Sequence, residues 1–112
     1  MFIMKLSSEH FDKVKSGSKT YEVRLYDENR QKIGIGDNII FKREPDQLDG
    51  VIVRVVDVKK FDTFEQMASI LSLQSIGFDG KNASQVSKYF LKMYSKSDEQ
   101  KYGVVAFKFE LV

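Results

Sequence analysis

The sequence predicts an α+β domain in which short helices flank a small, mostly antiparallel, barrel-like sheet. Three observations point there. Five stretches show strand-like alternation or β-branched enrichment, at Phe2 to Leu6, Thr20 to Leu25, Asn38 to Arg43, Val51 to Phe61 and Val104 to Leu111. Short segments with helical spacing lie between them, each opened by a capping residue. No internal repeat, low-complexity tract or interdomain linker interrupts the series, so residues 1–112 are expected to be one domain.

Phe2-Ile3-Met4-Lys5-Leu6 reads as a strand leading into a helix over Ser8 to Ser16. Ser7 is its N-cap, Leu6 and Phe11 hold the two positions of a hydrophobic staple, and Glu9 and Asp12 suit the positive helix end. Phe11 and Val14 give the helix an apolar edge, Lys13 and Lys15 suit its negative end, and Gly17 stops it. After the second strand, Asp27 to Lys32 is wholly polar and Gly34-Ile35-Gly36-Asp37 is a turn. Glu44 to Gly50 holds the only proline and reads as a hairpin loop. In the strand after that loop, Val51, Val53 and Val55 share one face, with Arg54 opposite. Thr63 with Gln66 opens a helix whose Phe64, Met67, Ala68 and Leu71 share a face, and a loop then runs to Lys81. Asn82 with Gln85 opens a third helix, marked by Val86, Tyr89, Phe90 and Met93 and ending near Tyr94. Ser97 with Gln100 repeats the capping pattern, and Gly103 closes that piece after about a turn and a half. In the last strand Val105, Phe107 and Phe109 point one way, and Ala106, Lys108 and Glu110 the other.

Composition narrows the function classes. A chain of 112 residues that is 42 % hydrophobic, with nine Phe and five Tyr, has material for a core. It has no cysteine, hence no disulfide framework and no thiolate metal site, and one histidine, His10, so a metal site of several His or Cys ligands is excluded. Asp46, Asp49 and Asp57 lack calcium-loop spacing, and Gly34 and Gly36 lack the context of a phosphate loop. No metal and no cofactor is expected. No apolar run has the length of a signal peptide or membrane helix, so the expected location is the cytoplasm, without a membrane partner. A net charge of +2 does not by itself announce a polyanion partner.

The chemistry concentrates in Ser16-Gly17-Ser18-Lys19-Thr20-Tyr21-Glu22-Val23-Arg24-Leu25-Tyr26-Asp27. Alternation puts Thr20, Glu22 and Arg24 on one strand face and Tyr21, Val23 and Leu25 on the other, and Lys19 reaches the polar face from the turn. Arg24 offers a planar fork for phosphate or carboxylate and Lys19 a mobile point charge, while Glu22 offers an acceptor to an exocyclic amine. A hydrolytic reading makes Glu22 or Lys19 a general base. The plain structural reading is an ion-pair ladder along a strand. Tyr94 is a candidate base-stacking platform or a core residue, and Tyr21 and Tyr26 divide the same way. Lys13, Lys15, Lys19 and Arg24 cluster in sequence as a candidate basic rim or as solvated surface. His10, in the first turn of its helix, reads as ordinary surface.

Gly17-x-Lys19-x-x-Glu22-x-Arg24, followed by Gly36-Asp37 and closed by Tyr102-Gly103-Val104-Val105-Ala106-Phe107, resembles the ASCH domain family of the PUA-like superfamily. The likeness spans Met4 to Leu111. It implies a PUA-like β-barrel of five to six strands with a cleft lined by the signature residues. It implies RNA or a nucleotide as partner, since family members are proposed to bind RNA or act in RNA metabolism. The ligand-binding residues would be Lys19, Glu22 and Arg24 of that signature, and the reading of the residues themselves adds Thr20 on the same strand face and Tyr94 as the stacking candidate. Some members are amidohydrolases that deacetylate acetylated cytidine and some are reported ribonucleases, and for such a hydrolase Lys19 and Glu22 would be catalytic. The sequence departs from the amidohydrolase branch, which has a threonine nucleophile three residues after the signature lysine, where this chain has Glu22. Thr20 is two residues away, and Asp79 is the nearest acidic residue to stand for the branch's assisting glutamate. A protein-interaction module, with a flat apolar patch in place of a cleft, is the remaining alternative.

Overall fold

The computed structural model describes residues 1–112. Strands β1 (Phe2–Leu6), β2 (Tyr21–Leu25), β3 (Asn38–Arg43), β4 (Gly50–Phe61) and β5 (Val104–Leu111) form one mixed sheet in the order β1-β3-β4-β5-β2. β1 lies parallel to β3, and the other pairs are antiparallel. The sheet curls into a half-barrel, and its edge strands β1 and β2 share no ladder. The expected closed barrel is therefore corrected to an open one. Strand patterns fix how many strands there are but not which edges meet. Here the connection from β1 to its parallel neighbour β3 contains α1 (Ser8–Ser16) and β2, and it carries β2 to the far edge.

Three more helices complete the fold: α2 (Phe64–Ile70), α3 (Ala83–Met93) and α4 (Lys96–Tyr102). The sheet is covered on both faces. On the inner face Phe11 and Val14 of α1 pack with Ile39, Phe41, Val53, Val55, Val105 and Phe107. On the outer face Phe64, Met67, Val86 and Phe90 pack on Tyr21, Val23, Leu25, Val104 and Ala106. Ala106, which alternation groups with Lys108 and Glu110, is thus fully buried. A register shift between Val55 and Asp57 changes the phase of β4, so that Val53 and Val55 face inward before it and Val58 after it.

The caps account for most element boundaries. The Ser7 hydroxyl accepts from His10 N–H at 3.3 Å, and Gly17 closes α1 at φ 84°. Thr63 accepts from Gln66 N–H, and Asn82 with Gln85 forms a complete capping box. α4 differs from expectation. Its N-cap is Ser95, which accepts from Asp98 N–H at 3.0 Å, and Ser97 lies inside the helix.

Candidate functional site

Gly17 turns the chain out of α1, and two backbone hydrogen bonds then pin the residues that lead into β2. Lys19 N–H donates to Lys13 C=O at 3.0 Å, and Thr20 N–H to Ser75 C=O at 2.8 Å. β2 starts from that anchor, so Glu22 and Arg24 project to the inner face at the open seam between β1 and β2. Lys19 Nζ lies 2.8 Å from Glu22 Oε1, and Arg24 Nε donates to Glu22 Oε2 at 2.7 Å. Arg24 Nη2 reaches across the seam to the Lys5 carbonyl at 2.9 Å. Three signature side chains therefore converge, and the carboxylate at their centre has a cation on each oxygen.

That arrangement sets the charges. Burial pushes the Glu22 carboxyl up, but the Lys19 charge and then the Arg24 charge outweigh it and hold the group at about 2. Burial disfavours the Arg24 cation, yet Glu22 and after it Tyr94 together outweigh burial and raise it. His10 belongs to the same cluster. Its Nδ1 lies 2.9 Å from Lys19 Nζ, and its ring meets Phe78 edge on. Burial first, then the neighbouring Lys19 charge, lowers it to about 4, so it is neutral at neutral pH. The surface reading of His10 is overturned. The signal in the sequence was helical spacing, because His10 lies beside Phe11 and one turn before Val14 on α1, and Phe11 and Val14 are fully buried.

These groups form the floor of a cavity of about 270 Å³. Leu6 of β1 and His10 of α1 line it on one side, with Lys19, Glu22 and Arg24 below and Phe78, Tyr89, Met93 and Tyr94 as a largely aromatic wall. Tyr94 is half-buried, with its ring stacked on Phe64 at 5.6 Å, so it is both wall and packing. Thr20 does not line the cavity; its backbone is held between Ser75 and Phe109. Tyr21 and Tyr26 pack in the two cores instead. The basic rim does not form. Lys19 is buried, and Lys13 is engaged by Glu9, the Gly77 carbonyl and Asp79. Asp79 pairs with Lys13 at 3.5 Å, stays largely exposed and does not line the cavity. No three His, Asp or Glu gather as a metal site, and no helix is long and apolar enough to cross a membrane.

Comparison with known proteins adds the family. The ASCH domain model matches residues 4–112. The chain belongs to the ASCH domain family. Membership supports a general role in RNA binding for this ASCH domain. The crystal structure of hypothetical protein PH0355 superposes with a TM-score of 0.87 at 32 % identity, covering 99 % of this chain and 98 % of that one. The solution structure of PF0455 from Pyrococcus furiosus gives a TM-score of 0.76 at 28 % identity, covering 99 % and 96 %. An ASCH domain from Lactobacillus crispatus gives 0.65 at 15 % identity, covering 98 % and 79 %, which is a likeness of fold. No curated protein matches.

Proposed function

We propose that this ASCH domain binds RNA or a free nucleotide by seating a single nucleotide unit in the seam cavity, above the Lys19–Glu22–Arg24 floor. The observation that carries the reading is one concave site combining a cationic floor with an aromatic wall. Aromatic faces stack on unpaired bases, and an arginine fork recognises phosphate or a base edge. At about 270 Å³ the cavity is just below the range of drug-sized pockets, which suits one base or nucleoside and not a threaded strand.

The electrostatics favours binding over hydrolysis. A carboxyl held at about 2 is a weak proton acceptor at neutral pH, and Lys19 already contacts both Glu22 and His10. Incubation with acetylated cytidine or RNA is expected to proceed no faster than in buffer. Turnover lost in Lys19→Ala or Glu22→Ala would establish the hydrolase reading instead.

Titration of the wild type with nucleoside monophosphates and short single-stranded RNAs at low salt tests binding directly. Arg24→Ala, with its fold checked by circular dichroism, is expected to weaken binding by roughly tenfold or more. Tyr94→Ala is expected to cost about 1–3 kcal/mol if a base stacks there. A folded wild type that binds neither ligand class at low salt overturns the proposal.

A further inference from the structure

The cavity lies beyond the free edge of β2. Its walls come from both layers of the fold, His10 of α1 on one side and Tyr89, Met93 and Tyr94 of α3 on the other, so the strand edge between the layers faces the space. The phase of the ladder decides which main-chain groups point there. In an antiparallel pair, alternate residues turn both N–H and C=O toward the partner strand, and the rest turn both away. Phe109 N–H donates to Thr20 C=O at 3.0 Å and Tyr26 N–H to Gly103 C=O at 3.0 Å, so Glu22 and Arg24, in phase with them, pair with β5. Tyr21, Val23 and Leu25 therefore turn their peptide groups into the seam. The same logic holds across the gap. Glu44 N–H donates to Leu6 C=O at 2.8 Å, which leaves Lys5 facing the seam, and the Lys5 carbonyl is the one that Arg24 reaches. Val23 lines the cavity, although its side chain is packed in the outer core and only 5 % exposed. What it presents to the cavity is its N–H and C=O. β2 has no ladder except with β5, and the neighbouring Arg24 directs Nε to Glu22 and Nη2 to Lys5, so neither Val23 group has a partner.

We propose that Val23 pairs through its main-chain N–H and C=O with the Watson–Crick edge of the seated base, while the aromatic wall of α3 contacts the base's face. This rests on the nucleotide-binding reading and deepens it, because it makes an unpaired base the part of the guest that enters. A donor and an acceptor on one residue suit a planar edge that carries one of each. Every nucleobase has such an edge: a ring N–H beside a carbonyl in uracil and guanine, a ring nitrogen beside an amino group in cytosine and adenine. A phosphate does not suit it, since the Val23 carbonyl repels the anion that the N–H alone would accept. Ser7, Glu44, Tyr89 and Tyr94 also bring polar atoms to the walls, so the Val23 contact fixes which edge of the base is buried and not which base is chosen. Double-stranded RNA is excluded, because base pairing occupies the same edge.

The test compares uridine 5′-monophosphate with its 3-methyl and 2′-deoxy analogues, so that the phosphate contribution cancels. The methyl group replaces the ring N–H and is expected to weaken binding about tenfold, the scale of one well-formed base contact, while the deoxy analogue stays within about twofold. Amide exchange locates the contact on the protein. In the free protein the Val23 N–H should exchange faster than those of Glu22 and Arg24, which the ladder holds, and saturating uridine 5′-monophosphate should slow Val23 by about tenfold or more. Replacing the Val23 amide by an ester removes the donor and keeps the side chain, and is expected to weaken binding about tenfold with Tm nearly unchanged, since no ladder bond is lost. A deoxy analogue that loses affinity while the methyl analogue does not would put the ribose on the strand and overturn this inference. So would a Val23 amide as slow as its neighbours in the free protein, or nucleotide binding that leaves it unchanged, and in each case the nucleotide-binding reading stands. Absence of any nucleotide binding overturns both.

Discussion

Two residues of the cluster, His10 and Glu22, tie stability to pH in adjoining windows. His10 falls from 6.5 to about 4 on folding, so the unfolded chain protonates first. The folded state is unpenalised above pH 6.5 and loses stability as pH drops from there toward 4. Glu22 falls from 4.5 to about 2, so its contribution is complete above pH 4.5 and is lost as pH drops toward 2. Urea midpoints should therefore be flat above pH 6.5 and decline from there in two stages. His10→Phe should abolish the first stage and keep the second, and an unchanged slope between pH 6.5 and 4.5 would refute the assignment. Glu22→Gln leaves Lys19 and Arg24 without their anion and is expected to cost about 3–5 kcal/mol. At this scale the sequence showed the signature side chains, because period-two alternation alone puts Glu22 and Arg24 on one face. It hid His10, whose partner Lys19 comes from another element and whose burial is completed by the distant Phe78.

Elements were legible where their own ends contain the cap, as at Ser7, Gly17, Thr63 and Asn82. They were misjudged where a long-range partner decides. Ser95 and Ser97 both precede acceptable helix starts, and Ser95 wins in a helix that also buries Glu99. Glu99 Oε2 accepts from the Phe64 N–H at 2.9 Å, so α4 satisfies an amide at the start of α2 that α2 cannot satisfy itself. Helix propensity in Lys96 to Tyr102 does not reveal that role. Glu99→Ala is expected to destabilise by about 1–3 kcal/mol because it orphans a buried donor. Glu99→Gln keeps a carbonyl in place and should cost less. Denaturant midpoints of the two variants, with Thr63→Ala as the ordinary cap loss of about 1 kcal/mol, check the ranking. A Gln variant as damaged as the Ala variant would show that charge, and not the acceptor, is what α2 needs.

At the scale of the whole molecule, the open seam decides where a site can exist. Closing β1 onto β2 with a backbone ladder would fill the space that now holds the cavity, and the chain instead spans the gap with Arg24, bound to Glu22 on its own strand and to the Lys5 carbonyl on the other. The strand count and the antiparallel majority were readable from alternation, whereas the opening was not, because edge pairing is settled between residues far apart in sequence. One guanidinium thus both holds the seam and faces the guest. Arg24→Lys keeps the charge but loses the fork, and an ammonium is a single point that does not reproduce the spread geometry of both bonds. The expected cost is about 1.5–3 kcal/mol, a fall in Tm of roughly 5–10 °C for a domain of this size, with faster amide exchange along β1 and β2. Arg54→Lys is the matched control. Its pair with Glu110 is 3.5 Å long and about half exposed on both sides, so the change should stay within about 0.5 kcal/mol. Ligand should then protect the seam amides of the wild type more than those of Arg24→Lys, since binding stabilises only the state that has the site assembled. Equal Tm shifts in the two lysine variants would mean that packing of α1 and α3, and not Arg24, keeps the two edges in place.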